Sequence, residues 1–296
     1  MTGFLSIASF VTSLPAEGRH YRLDRPDAGR DQLGVLQISG PDAGKFLQGQ
    51  LTADVLALSV GSQTWAASCT PQGRMRALFR LLRREQDFLL VMPRTVVQPL
   101  LDALKKYAVF FKAQLSDASE AFQIWGLLGT ETVPAAWPLA AVAQRSRQLV
   151  LVGSDVAAPA LPGSSGAASE WFLAELLVGE PSVYPETSEK LLPHHVNLPG
   201  IGGVSFSKGC YTGQEIVARM EYRGKIKTHL QTGHSRFAGE LVPGTAIRSG
   251  DREVGELVRS SSVGENQLLL ITLNDPAQTE SLQLALPEAP ILELHH

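Results

Sequence analysis

The 296-residue chain has only two cysteines, Cys69 and Cys210. A secreted disulfide framework needs more, so a reducing compartment is expected. No Cys-x-x-Cys and no His-Glu-x-x-His occurs, which removes the usual zinc spacings. There is no P-loop, and Gly200-Ile-Gly202 lacks the rest of a dinucleotide fingerprint. Positive charge is not in excess: 26 Lys and Arg stand against 29 Asp and Glu, a formal net charge of −3. That excludes a dedicated nucleic-acid binder and points to no direct nucleic-acid partner. No apolar run approaches the ~18 residues of a membrane span. The mildly apolar stretch Met1 to Leu14 also lacks the cationic start of a signal peptide. A cytoplasmic protein with no membrane partner is expected.

What is present is a full complement of core residues, 44% of the chain, enough for two or three subdomains. Leu33 to Ser39 reads as a strand, and Gly40-Pro41-Asp42 opens a helix presenting Phe46, Leu47 and Leu51. Gln63 to Cys69, Met75 to Leu82 and Phe88 to Met92 read as strands joined by polar turns. Thr95 is placed to cap a helix to Tyr107 with Val96, Leu100 and Leu104 on one stripe. Phe122 to Leu128 is again a strand. Val156 to Ala168 reads as an exposed loop, after which Ser169 can cap a helix that Gly179 stops. Beyond Arg223 the texture changes to short alternating runs separated by turn residues, the spacing of a small antiparallel barrel. The expected fold class is α+β: a body of mixed sheets and helices over residues 1–223 and a C-terminal β-barrel over 224–296.

The densest chemistry lies in Lys208-Gly209-Cys210-Tyr211-Thr212-Gly213-Gln214-Glu215. Thr212 and Glu215 fit a Thr-x-x-Glu capping box ahead of Ile216, Val217 and Met220, which predicts a helix start at Thr212. Cys210 would then sit just before a helix N-terminus, where the dipole favours thiolate, with Lys208 as a cationic neighbour. Gly209 and Gly213 keep bulk away from the sulfur. Against this, a Thr-x-x-Glu box often only caps, and a lone cysteine is often a small core residue. Ser205-x-x-Lys208 lacks the partner motifs of a serine acylase. His194 and His195, in an extended segment, would point apart and hold no shared metal. Asp24, Asp27 and Asp31 read as a solvated face.

Lys208 to Glu215, continuing through Ile216-Val217-Ala218-Arg219 and Tyr222-Arg223-Gly224, resembles the defining motif of the YgfZ proteins. Four other segments carry the same resemblance: Phe46 to Val55 (FLQGQLTADV), Cys69 to Met75 (CTPQGRM), Leu104 to Phe110 (LKKYAVF), and Asn197-Leu198 followed by Gly202 to Phe206 (GGVSF). The resemblance implies a GcvT-like fold, that of the glycine-cleavage aminomethyltransferase, with a folate-binding body around a central opening. It implies binding of tetrahydrofolate or a derivative. It further implies support of iron–sulfur cluster assembly or repair in client enzymes, including ones that modify tRNA, with Cys210 and Lys208 as working residues. Trp171 matches a tryptophan used at the family's folate site, and an indole face suits a planar ring. Leu33 falls where some relatives carry a second folate-contacting tryptophan, and Leu177 where aminomethyltransferases carry a pterin-holding glutamate.

A folate-dependent aminomethyltransferase is the alternative. That reaction wants a carboxylate near the folate amine, and the corresponding position here is Arg76-Ala77. A third reading is a thiol-dependent oxidoreductase joining Cys69 and Cys210, whose separation the sequence leaves open.

Overall fold

The computed structural model describes residues 6–274 and 281–295. In chain order it has α1 (Ile7–Thr12), β1 (Arg19–Arg22), β2 (Leu33–Ser39), α2 (Ala43–Gln48), β3 (Gln63–Cys69), β4 (Met75–Arg83) and β5 (Asp87–Pro93). Next come α3 (Arg94–Ala108), β6 (Gln114–Asp117), β7 (Phe122–Leu128), β8 (Trp137–Val142), β9 (Arg145–Gly153) and β10 (Ser164–Ser165). Helices α4 (Ala168–Leu177) and α5 (Gln214–Arg223) follow. The remainder is β11 (Thr228–Arg236), β12 (Ala246–Ser249), β13 (Arg252–Val263), β14 (Asn266–Asn274), β15 (Leu282–Leu284) and β16 (Ile291–Leu294).

The body holds two five-stranded sheets, ordered β3-β4-β5-β2-β6 and β10-β1-β7-β9-β8. The first is built by the hairpin run β3 to β5, of which β4 and β5 are buried nearly throughout and β3 over its second half. A strand buried on both faces reads as a continuous apolar run, as Phe88 to Met92 in β5 does. One face takes α3, whose Val96, Val97, Leu100, Leu101 and Leu104 are all buried. In the second sheet every strand contact but the short β1–β10 pair is antiparallel.

The C-terminal strands close into a six-stranded antiparallel barrel, with β16 returning to pair β11. Closure leaves no open edge for another chain to extend. Its interior is aliphatic: Ile247, Leu257, Leu269, Ile271, Leu273 and Leu284 are fully buried. No described helix is long and apolar enough to cross a membrane.

Between the units lies α4, buried along almost its whole length. A helix apolar on every side belongs in an interior, and α4 contacts β1, β8 and α1 of the body and β13 and β14 of the barrel. Gly126 in β7 makes this approach possible: a Cβ there would stand 2.5 Å from the Trp171 ring.

Two helix caps differ from expectation. Ser169 lies inside α4, whose N-cap is Ala167. Thr95 lies inside α3, whose N-cap is Pro93. Because α3 leaves β5 without a loop, its first N–H, that of Arg94, donates to Gln32 O at 2.7 Å. The residue just before β2 thereby does the work of a capping hydroxyl.

Candidate functional site

Three segments distant in sequence meet around Cys210. The α2–β3 connection supplies carbonyls, the turn after β3 supplies a platform, and the loop before α5 lies over both. Thr212 N–H donates to Gly49 O at 3.2 Å, and Ser205 N–H to Thr52 O at 2.9 Å. The buried Thr52 hydroxyl donates back to Gly203 O at 2.6 Å and accepts from Ala67 N–H at 2.9 Å. Gly213, at φ 87°, rests directly on the turn: a Cβ would meet Thr70 O at 2.5 Å and Cys69 Cβ at 3.1 Å. Both the positive φ and the contact therefore demand glycine.

The cap differs from the sequence expectation. Helix α5 starts at Gln214 with Gly213 as N-cap, and no side chain caps it. The Gln214 amide oxygen instead accepts from Tyr211 N–H at 3.3 Å. Glu215 is turned to the surface, where its carboxylate accepts from Arg219 at 2.8 Å. Thr212 is drawn off by Gly49, so the reciprocal bonds of the box do not form. Cys210 is thus farther from the helix end than expected, and the dipole acts little beyond the first turn.

Lys208 is not a partner for the sulfur. Its ammonium is buried and donates to three backbone carbonyls, Gln48 O at 2.6 Å, Leu51 O at 2.7 Å and Ala53 O at 2.8 Å. It also lies 5.0 Å from the centre of the Tyr211 ring. Burial draws the Lys208 amine down to about 8, with the Asp54 carboxylate acting against it. The three carbonyls also act against it, because all three take protons that only the ammonium supplies together.

The two thiols differ in access. Cys210 is exposed, while Cys69 is buried under the loop. Burial pushes the Cys69 thiol up to about 12, with Arg76 opposing weakly. Tyr211 is buried beside it with its hydroxyl unpartnered among the described residues.

A second feature is an opening between the sheets, α4 and the barrel. Leu33, Trp65, Val91 and Met92 give it apolar walls, and Asp31, Arg80, Glu175 and Arg259 supply polar groups. Leu33 is on the wall of this opening. Trp171 is not: it is fully buried, with Gly126 against its ring and the Arg147 guanidinium 4.9 Å from its centre. It reaches the opening through Glu175, whose Oε1 accepts from the indole N–H at 2.8 Å. Leu177 is not on the wall, whereas Glu175, two residues earlier in α4, is.

Behind the opening, buried charges form a chain. Arg80 and Arg147 hold Glu180 at 2.7 and 2.9 Å. Arg259 of the barrel holds Glu175 at 2.8 Å and Asp31 at 3.0 Å. Burial alone would raise the Glu180 carboxyl, but Arg80 and Arg147 bring it down to about 2. Asp31 is therefore no solvated residue; it also accepts from the Tyr184 hydroxyl. Asp24 is likewise engaged, by Arg22 and by Ile124 N–H. Trp65, Arg80 and Arg259 gave no sequence signal beyond being aromatic or charged in strands; Arg80 lies 4.2 Å over the Trp65 ring.

His194 and His195 occupy a 3-10 turn, not an extended segment, because Pro193 starts one there. His194 pairs with Glu221 at 3.2 Å. Burial first, then Arg74, His194 and His229, pull His195 down to about 4. No cluster of three metal-ligating side chains occurs among the described residues.

No family model matches the chain. It is 35% identical over 257 residues to an uncharacterized protein of Haemophilus influenzae, covering 84% of this chain and 89% of that one. It is 30% identical over 282 residues to the tRNA-modifying protein YgfZ of Klebsiella pneumoniae, covering 85% and 86%. The Vibrio atlanticus protein of the same name is 33% identical over 251 residues, covering 78% and 73%. Among solved structures, the glycine cleavage system aminomethyltransferase T of Bartonella henselae superposes with a TM-score of 0.65 at 12% identity, covering 98% of this chain and 88% of that one. With these relatives in sequence and that likeness in fold, the chain belongs to the YgfZ family and has the GcvT-like fold.

Proposed function

We propose that the protein is a folate-binding accessory factor that supports iron–sulfur cluster assembly or repair in client enzymes, tRNA-modifying ones among them. The observation that carries this reading is the presentation of Cys210: an exposed sulfur on a loop that is otherwise pinned at Lys208, Thr212 and Gly213. A reactive group offered to a protein partner needs this combination of reach and fixed position. Cytoplasmic location and client enzymes or assembly proteins as partners are part of the same proposal.

The ligand proposed for the central opening is tetrahydrofolate or a derivative. The apolar walls with few polar groups suit an aromatic ring system. In this reading Trp171 is a positioning residue acting through Glu175, and Leu33 and Trp65 meet the ligand. Aminomethyl transfer is not favoured, because Arg76 is tied to Glu189 at 2.9 Å and brings no carboxylate of its own.

Two measurements test the proposal. Titration with tetrahydrofolate is expected to quench tryptophan fluorescence saturably, with the response strongly reduced in Trp65→Phe. Absence of saturable quenching in the wild type, together with no heat in calorimetry, sinks the ligand reading. For the thiol, iodoacetamide at neutral pH is expected to alkylate Cys210 well before Cys69, since access and ionisation both disfavour Cys69. Cys210→Ala is expected to fold normally and to lose support of the iron–sulfur client. Full complementation by Cys210→Ala in cells lacking the protein would make the loop purely structural.

A further inference from the structure

The first sheet ends at β6, and among the described residues no strand pairs with its outer side. Ala118 N–H donates to Val35 O at 2.9 Å. Alternation along an antiparallel pair then turns the N–H and C=O groups of Leu115 and Asp117 away from β2. Neither backbone finds another partner among the described residues. Such an edge can take up an extended peptide as an added strand.

Just before β6 the chain leaves two apolar side chains in water: Val109 is 74% exposed and Phe110 83%. The next residue, Phe111, turns inward, its ring 5.5 Å from that of Phe46. Lys105 and Lys106 in the last turn of α3, Lys112 before β6 and Lys45 in α2 are exposed. None of the four makes an ion pair among the described residues. The nearby acids are engaged: the Asp42 carboxylate accepts from Lys112 N–H at 2.9 Å, and that of Asp102 from Gln98 at 2.8 Å. Lysines alone would guard an open edge against self-association. They do not account for a valine and a phenylalanine held in water beside it. The surface is also tied to the Cys210 loop. Asp42 N–H donates to Lys112 O at one end of α2, and Gly49 O accepts from Thr212 N–H at the other, about 10 Å away at 1.5 Å per residue.

We propose that the outer side of β6, with Val109, Phe110 and these lysines, docks an extended acidic segment of a protein partner as an added strand. The unpaired lysines select carboxylates, and the exposed valine and phenylalanine select an apolar side chain between them. Lipid and nucleic-acid phosphates only accept hydrogen bonds, whereas a peptide backbone also supplies donors for the Leu115 and Asp117 carbonyls. A second copy of this chain fits less well, because a two-fold axis at β6 sets one group of lysines against the other. Docking here requires neither a ligand in the central opening nor an iron–sulfur client.

The test is titration of the full chain with a blocked peptide of alternating Glu and Val, about eight residues long to match an edge strand, and with its counterpart carrying Lys for Glu. The acidic peptide is expected to bind about tenfold more tightly at low salt, each exposed ion pair giving a factor of roughly two to five. The difference is expected to collapse at 1 M salt, where the Debye length is ~3 Å. Phe110→Asp is expected to weaken the acidic peptide about tenfold, and Lys105→Glu with Lys106→Glu to abolish the preference. These side chains are exposed, and thermal unfolding checks that the variants fold. Amide hydrogen exchange at Leu115 and Asp117 is expected to slow when the acidic peptide is bound. Binding that leaves both amides unprotected overturns the added strand. Equal affinity for the two peptides, no binding of either, or an affinity that Phe110→Asp leaves unchanged overturns the proposal as well. Binding of phosphatidylserine vesicles or of a short oligouridylate in place of the peptide gives the surface to lipid or RNA. Self-association of the free chain that Phe110→Asp abolishes gives it to a second copy; each of these outcomes also overturns the proposal.

Discussion

Arg147→Met is expected to destabilise the protein by about 3–5 kcal/mol, the cost of leaving a buried charge without its partner. Arg147 is 1% exposed and lies in β9, in the second sheet, where it grips Glu180 with both terminal nitrogens and approaches Glu175 at 3.7 Å. Its guanidinium also covers the Trp171 ring. Removing it strands a carboxylate that Arg80 alone must hold from the other sheet. The double variant Arg147→Met, Glu180→Leu is expected to recover only part of the loss, because it removes the stranded carboxylate but leaves the buried Arg80 guanidinium without its partner. Thermal and denaturant unfolding of the three proteins decide the matter. A single-variant loss below about 1 kcal/mol would mean that the charge chain does not join the two sheets.

The same chain sets an acid limit. The folded Glu180 carboxyl titrates at about 2, below its ordinary 4.5. A depressed carboxylate contributes stability that is fully present above pH 4.5 and is lost as pH falls through 2. The melting temperature of the wild type is therefore expected to fall through this window more steeply than that of Glu180→Gln. Parallel profiles would remove Glu180 as the source.

These charges also explain what the sequence conceals. Strands β4 and β5 were legible through their apolar runs, Ala77 to Phe79 with Leu81 and Leu82, and Phe88 to Met92, and β3 through the turn residues that follow it. Strand β9 was not: Arg147 and Gln148 are buried in its middle, and no pattern of alternation survives two polar core residues. Strands β1, β6 and β10 have two to four residues each, too few to show a period. The barrel was legible through the turn residues that divide β11 to β14, whereas β15 and β16, of three and four residues, gave no reading of their own. In the site, the loop around Cys210 stood out by its residues, but its local geometry did not follow from them. The capping box is a statement about neighbours in sequence. Here Gly49, Thr70 and the carbonyls of the α2–β3 connection compete for the same groups and win. The roles of Glu175 and Trp171 were hidden for a related reason: the indole N–H needs an acceptor once buried, and only the fold says which.

Lys208→Met is expected to be strongly destabilising, by about 3 kcal/mol or more, while Cys210→Ala two residues away stays within about 0.5 kcal/mol of the wild type. The methionine keeps most of the side-chain volume and removes the ammonium. Three carbonyls, those of Gln48, Leu51 and Ala53, then lose a charged donor at once, two of these contacts being buried. Hydrogen bonds to a charged group contribute more than neutral ones, and a buried acceptor left unpaired carries a further desolvation cost. Cys210, by contrast, is exposed, and its loss opens no cavity. The pair of measurements separates anchoring from activation. If Lys208 anchors the loop, Lys208→Met lowers the melting temperature, while Lys208→Arg, too long and forked for three convergent carbonyls, fails to restore it. If Lys208 instead activates the sulfur, Lys208→Met leaves stability nearly unchanged and slows alkylation of Cys210. The second pattern would overturn the anchoring role drawn from the three carbonyls. The first leaves Cys210 as the group in Lys208-Gly209-Cys210 that is free to meet a partner.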